Sequence, residues 1–452
     1  MLQRIIFWGT GAVLVIAPLP LAGNRIWAVA LLALLVFGLF ILHLLSAVKA
    51  SQRLLPPRYA MPVMVPVLVV WLWLGVQMVP GLGALAGRHL GAVSVSMLSF
   101  DPSMTHMMWL KTAMLLAFVW MVFSVVNSKQ RLYQFALIMV ASGFIQALYG
   151  TWLNLNPGMA SPIFGVPYSN RATGAFMYHN QLASFLAITL SIGIGVLVSQ
   201  LSMATSSARW THKLRDVADT LLSPKMVIRL GLIIMVIALI LTRSRMGNSA
   251  FFMSLAGISA YALFFYNRPP RNMKLLIISF FILDLLLIGS IFGVEKVKQR
   301  LVETSLQSET RDEVVRDAIP MIMDYPVFGM GGGSFYSSFP AYHPEKYSGF
   351  YDHAHNDYIQ FAVELGLPMT LLLGWMMLYS LWTSLKTMAK RKTPLYQGIA
   401  FGSAIAVVHM LLHATVDFSL QSPAIALMFM AILSLSHIAH HLPSPRTTRS
   451  RL

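Results

Sequence analysis

Polar and apolar positions divide the chain into long apolar runs separated by polar connectors. Twelve runs hold about 20 mostly apolar residues each, the length a helix needs to cross a bilayer. They cover residues 5–22, 26–48, 60–80, 105–126, 132–153, 180–200, 227–242, 247–266, 275–293, 358–385, 395–416 and 422–441. Lipid tolerates only helices or closed barrels as spanning elements, and these runs are too long for barrel strands. The pattern therefore predicts an all-α polytopic membrane protein with about twelve transmembrane helices. The first run follows Arg4, is interrupted by Pro18 and Pro20, and lacks a small-residue cleavage site, so it reads as a retained span.

The connectors alternate in charge. One set carries Arg4; Lys49, Arg53 and Arg58; Lys129 and Arg131; Arg209, Lys213, Arg215, Lys225 and Arg229; Arg268, Arg271 and Lys274; Lys386, Lys390, Arg391 and Lys392; and Arg446, Arg449 and Arg451. Only two acids, Asp216 and Asp219, accompany them. The positive-inside rule puts this set and both termini in the cytoplasm. Three connectors on the other side are long: a Gly-rich segment at 81–104, a Pro/Gly/Asn-rich loop at 154–179, and residues 294–357. The last opens with an amphipathic pattern (Val297, Leu301 and Val302 against Lys298, Arg300 and Glu303). The expected organisation is spans 1–5 in 1–153, spans 6–9 with outer Arg and His-Asn motifs in 154–293, a periplasmic loop subdomain at 294–357, spans 10–12 in 358–441, and a basic cytoplasmic tail at 442–452.

Composition agrees with this pattern. Hydrophobic residues make up 57% and charged residues 11% of 452, whereas a soluble domain is about 25% charged. The net charge of +17 would suggest nucleic acid in a soluble protein. Here the whole excess lies in the cytoplasmic connectors, where it orients the chain and favours anionic inner-leaflet lipid. With no cysteine, disulfides, thiolate metal sites and cysteine nucleophiles are excluded.

The chemistry-bearing residues lie on the outer side. DHAHNDY, Asp352 to Tyr358, places four potential metal ligands in six residues: Asp352, His353, His355 and Asp357. It also reads as a cap for the helix starting near Asn356 or Asp357, or as the setting of a histidine general base. LTRSRMGNS, Leu241 to Ser249, puts Arg243 and Arg245 at a membrane boundary. Guanidinium forks match phosphate oxygens, although interfacial anchors look the same. Two residues apart on one helix, they point to nearly opposite faces. They share a ligand only if the helix breaks, which Gly247 makes plausible. SNRATGAFMYHNQLASFL, Ser169 to Leu186, supplies Arg171, His179 and Asn180, the last also a candidate helix cap. GMGGGSF, Gly329 to Phe335, lacks the strand–helix context and lysine of a nucleotide loop and reads as a tight turn. Lys111, Asp284 and Glu364 are charges inside spans; His409, His413 and Asp417 share one face of span 11.

In order along the chain these motifs are Arg171-x-x-Gly-x-Phe…His179-Asn180, Thr242-x-Ser-Arg245, Pro326-x-x-Gly-x-Gly-x-Gly-Ser-Phe335 and His353-x-His355-Asn356. The series resembles the O-antigen ligase and polymerase superfamily of multi-spanning inner-membrane glycosyltransferases, over about residues 165 to 420. The ligase-branch motif His-[Asn/Ser/Gln]-x9-Gly-x-x-[Gly/Thr/Tyr] runs from His355 and Asn356 to Gly366, with Met369 at the final position. Its Arg-x3-Leu motif begins at Arg245 but ends on Ser249. The resemblance implies a C-type glycosyltransferase without metal or other cofactor, working at the periplasmic face of the inner membrane. It implies an undecaprenyl-diphosphate-linked polysaccharide as donor and lipid A-core, or a growing glycan, as acceptor. It implies neither nucleotide nor nucleic acid as a partner.

On that basis Arg171, Arg243 and Arg245 are expected to clamp the diphosphate. His355 is expected to take the proton of the attacking hydroxyl, with Arg245 as its catalytic partner on the leaving group. His179, Asn180, Asn356 and His353 are expected to bind substrate. O-antigen ligation is the expected activity, with a polymerase of the same superfamily as the alternative and a protein O-oligosaccharyltransferase as a further one. A transporter, the rival from another class, predicts a charged path through the midplane, where the sequence offers mainly Asp284.

Overall fold

The computed structural model of the protein describes residues 2–50, 55–90, 93–165, 170–201, 224–267, 278, 313–343 and 351–444. The expected span at 275–293 and the amphipathic pattern at 297–303 lie outside these residues. So does Asp284.

The described elements are almost all helical. They are α1 (Leu2–Ile16), α2 (Ile26–Lys49), α3 (Met61–Gln77), α4 (Pro102–Val125), α5 (Lys129–Leu155), α6 (His179–Leu201), α7 (Pro224–Leu241), α8 (Arg245–Phe265), α9 (313–324), α10 (Asp357–Leu365), α11 (Leu367–Lys390), α12 (Pro394–His413) and α13 (Pro423–His441). The expected Gly-rich segment at 81–104 holds a helical turn, Leu82–Leu85, and two short strands, β1 (His89–Leu90) and β2 (Val93–Ser94), paired antiparallel.

Eight helical segments among the described residues are long and apolar enough to cross a membrane: α2, Arg58–Gln77 (which contains α3), α4, α5, α6, α8, α12 and α13. α1 and α7 are apolar but shorter. Large apolar side chains such as Leu34, Ile41, Leu45, Leu72, Leu371 and Trp375 face outward. In water such a surface would drive aggregation; in a bilayer it is the natural contact with lipid.

α6 is the axis of the bundle, with its apolar window wholly buried. It runs against α12 with almost no side chain between the backbones. A Cβ on Gly195 would overlap the carbonyl oxygen of Gly398, and one on Gly402 would overlap that of Ser191. Helices surrounded by lipid gain little hydrophobic drive from meeting each other, so close van der Waals approach through small residues holds them instead. The pairings 195 with 398 and 191 with 402 are antiparallel. They deliver the first turn of α6 beside the last turn of α12.

The expected continuous span at 358–385 is a correction. The chain breaks at Gly366, whose φ of 82° and ψ of 164° end α10 before α11 begins. The glycine-rich turn at 329–333 wraps this break. Met330 and Gly331 amides donate to the carbonyls of Val363 and Glu364, and Leu367 N–H donates to Pro326 O. Gln77, fully buried at the end of α3, donates to the carbonyls of Phe328 (2.8 Å) and Glu364 (3.0 Å) and accepts from Gly332 N–H (3.1 Å). The turn reading of GMGGGSF holds, and its amides are spent on the chain itself. Arg88 completes the clamp: its buried guanidinium donates to the carbonyls of Leu98 and Gly329 and lies over the rings of Phe100 and Tyr325. Burial lowers its pKa to about 10, so it stays charged at neutral pH.

Candidate functional site

The motif residues collect at one end of the bundle: the start of α6, the α7–α8 junction, the start of α10 and the end of α12. The ends of α2 and α11 and the starts of α3 and α5, which carry Lys49, Arg58, Lys129, Arg131, Lys386 and Lys390, belong to the opposite end.

Arg243 and Arg245 lie on either side of a true helix break. α7 ends at Leu241, Arg243 takes a left-handed φ of 52°, and Ser244 caps α8 by accepting from Gly247 N–H (3.2 Å). The break therefore falls at Thr242–Ser244, and Gly247 has another task. A Cβ there would crowd Ala183 of α6 and the Ser244 hydroxyl, so it permits close helix contact. Arg243 is half-buried and Arg245, the first residue of α8, is exposed.

Arg171 lies in the connector before α6. The next residue, Ala172, donates its N–H to Leu241 O at 3.0 Å, which ties this connector to the arginine break. The guanidinium Nη1 of Arg171 lies 2.8 Å from His179 Nε2. His179 opens α6, so Asn180 belongs to its first turn instead of capping it, a correction to the cap reading.

His355 and Asn356 form the entry to α10. Asn356 Oδ1 accepts from the N–H groups of Tyr358 (3.0 Å) and Ile359 (3.1 Å), a helix cap as expected. Its Nδ2 donates to Thr415 O (2.9 Å), anchoring the cap to the turn after α12. His355 has a φ of 50°, a strained conformation for a residue with a side chain.

The four candidate ligands of DHAHNDY diverge. Asp357 is buried and accepts from Leu420 N–H (3.1 Å) and Gln421 Nε2 (3.3 Å). His353 Nδ1 contacts the Gln360 amide, whose Nε2 donates to Glu364 Oε1 at 3.0 Å. Asp352 Oδ2 lies 4.0 Å from His353 Nε2. Among the described residues no group of three or more His, Asp or Glu is arranged to hold a metal ion. Burial holds the His353 pKa below the ordinary histidine value, with Asp352 opposing; its imidazole is neutral at pH 7.

Two motif segments meet at a residue the sequence did not flag. The ring of Phe418, in the turn after α12, touches Tyr178, His353 and His355. Tyr178 Oη also donates to Asp352 Oδ2 at 3.5 Å. Below Phe418 runs a buried polar layer: His413 Nδ1 with Ser184 Oγ (2.5 Å), and His413 Nε2 with Asp417 Oδ2 (3.8 Å). His413 and Asp417, expected on one face of span 11, do lie side by side, although α12 ends at His413 and Asp417 lies in the turn. Sequence reasoning also missed Arg25, at the turn before α2. Its charge opposes the upward shift that burial gives the Tyr178 pKa, and neighbouring Asn24 donates to Gln181 of α6 (2.9 Å). A lone outer-side cation such as Arg25 is the one signal that loop charge alone offered.

Residues 230–374 match the family model described as O-antigen ligase. That match supports membership of the O-antigen ligase superfamily. No curated protein matches the chain. The match, over about a third of the chain, supports an enzyme with O-antigen ligase- or polymerase-like activity, a membrane location, and lipid-linked polysaccharide as the general class of substrate. The matched stretch contains the arginine break, the glycine turn, His353, His355 and the Gly366 break. It begins after Arg171 and His179 and ends before Phe418.

Proposed function

We propose that this protein transfers a glycan from an undecaprenyl-diphosphate carrier to a sugar hydroxyl, as an O-antigen ligase acting on lipid A-core. The observation that carries this reading is the convergence at one end of the bundle. The connector that bears Arg171 and leads into His179 is joined both to the Arg243–Arg245 break, through Ala172 and Leu241, and to the His353–His355 segment, through Tyr178 and Phe418.

Arg171, Arg243 and Arg245 suit a diphosphate held at headgroup depth, because guanidinium groups bind phosphate oxygens and neutralise charge as the leaving group departs. His355 accepts the proton of the acceptor hydroxyl while that oxygen bonds to the anomeric carbon. The bond from that carbon to the diphosphate breaks in the same step, so the anomeric centre inverts. His353, Asn356, His179 and Asn180 position the sugars and the loop. The reaction needs no metal or nucleotide. On this reading the site faces the periplasm from the inner membrane and both termini are cytoplasmic, an orientation supported by the alternating loop charge.

The test uses the purified protein, a lipid-linked glycan and a lipid A-core acceptor. His355→Ala and Arg245→Ala are each expected to abolish transfer. Full transfer by either variant removes the role assigned to that residue. Extension of the lipid-linked glycan, with nothing joined to lipid A-core, would make the enzyme a polymerase. Loss of activity with a chelator would restore the metal reading of DHAHNDY.

A further inference from the structure

The Phe418 ring offers no acid, base or hydrogen bond, yet three side chains of the candidate site rest on it. Tyr178 meets it edge-on, with centroids 5.5 Å apart and planes at 78°. His353 stacks on it at 4.1 Å and 19°. His355 meets it edge-on at 5.0 Å and 77°. The ring itself is 2% exposed.

Its backbone is held as firmly. Phe418 N–H donates to Asp417 Oδ1 at 2.7 Å, and Asp417 O accepts from Asp357 N–H at 3.1 Å. The next residue, Ser419, hydrogen-bonds Ser184 Oγ of α6 at 2.9 Å. The ring is thus fixed to α6, α10 and the end of α12 together.

An aromatic ring differs from an aliphatic side chain of like volume in one respect: its charge distribution prefers offset stacks and edge-to-face contacts, so it orients the rings around it. His353 has a second restraint in Gln360. His355 has a left-handed backbone, which surrounding contacts must maintain. We propose that Phe418 is a positioning residue for the transfer reaction: it sets the imidazole planes of His355 and His353 and fixes them against the segment carrying Tyr178, His179 and Arg171. This rests on the reading of His355 as the proton acceptor.

The test compares the full-length wild type with Phe418→Leu, Phe418→Met and Phe418→Tyr. Misplacing a reacting group by about 1 Å costs up to about 100-fold in rate. The Leu and Met variants are expected to lose about 10- to 100-fold in kcat, with KM for the lipid-linked donor within about threefold of wild type. The Tyr variant, which keeps the ring, is expected to restore kcat. Wild-type kcat in the Leu or Met variant overturns the proposal, as does a loss confined to KM. So does failure of both to fold, which would make Phe418 a packing residue only.

A readout without catalysis separates this proposal from the functional one. With histidines 13C-labelled, the ring protons of His353 and His355 feel the ring current of Phe418, and His353→Gln and His355→Gln assign their signals. Phe418→Leu is expected to shift both signals and Phe418→Tyr to leave them near their wild-type positions. An unmoved His355 signal in Phe418→Leu overturns the proposal whatever the activity. Absence of transfer in the wild type, with these shifts intact, overturns the transferase reading instead.

Discussion

The interior where α6 meets α12 and the end where the candidate site lies are built in opposite ways. Inside, backbone lies on backbone: Gly195, Gly398 and Gly402 leave no room for side chains, and the helices are regular. At the site end the backbone is irregular. Five non-glycine residues among the described ones take a left-handed φ, namely Leu21, Ala22, Phe164, Arg243 and His355. All five lie in connectors at that end, and two are candidate site residues. Irregular backbone at membrane depth survives only where protein encloses it. The close-packed pair supplies that enclosure, since the same two helices end in His179 and His413. The contrast teaches that the site borrows its precision from a region about 24 Å away along α6.

The hardest way to break this comparison is to separate the helices. Gly398→Leu forces a side chain into the Gly195 carbonyl, and overpacking of this kind costs about 1–3 kcal/mol or more. The expected outcome is loss of a monodisperse peak in size-exclusion chromatography. A folded, active Gly398→Leu protein would show that the interior does not govern the site.

Gly366→Val is expected to act at the site end alone. It places a branched side chain at a φ of 82° and against Val327 O, where strain is on the order of 1–3 kcal/mol. Transfer should fall about 100-fold while circular dichroism retains its helical signal. Equal damage to both would mean that the break is part of the core.

A smaller effect is expected at the cap. Asn356→Ala removes two accepted bonds and one donated to Thr415 O, a loss of about 1 kcal/mol in helix stability. Asn356→Asp keeps the cap but not that donation. If Asp restores transfer fully, the anchor to Thr415 is dispensable.

The mildest prediction concerns pH. Burial lowers the His353 pKa in the folded state, so the folded protein binds fewer protons there than the unfolded chain does. The stability this contributes is present above about pH 6.5, the unfolded value, and is lost as pH falls through the folded value. Thermal unfolding between pH 7.5 and 5 should fall less steeply for His353→Phe than for wild type. Parallel curves would sink this account.

Much of the bundle was legible because lipid imposes a length and polarity rule on each span separately. The Asn356 cap and the need for a break between Arg243 and Arg245 were legible for a similar reason: both are local. The break at Gly366 was not located, since a single apolar run does not reveal a left-handed residue within it, and the arginine break was assigned to Gly247 because composition does not show that Arg243 itself takes the left-handed conformation. Phe418, Gln360 and Arg88 were missed because their meaning lies in partners such as Tyr178, Glu364 and Gly329, brought close only by folding. The convergence of Arg171 with the arginine break depends on one backbone bond, from Ala172 to Leu241, which no spacing encodes.

The turn before α2 has a consequence for biosynthesis. Ser422, at the start of α13, donates to the carbonyl of Ala22, 400 residues earlier, at 3.1 Å. Phe418 stands four residues before that point. Synthesis makes α2 long before α13, so this closing bond beside Phe418 forms only once the chain has emerged as far as Ser422.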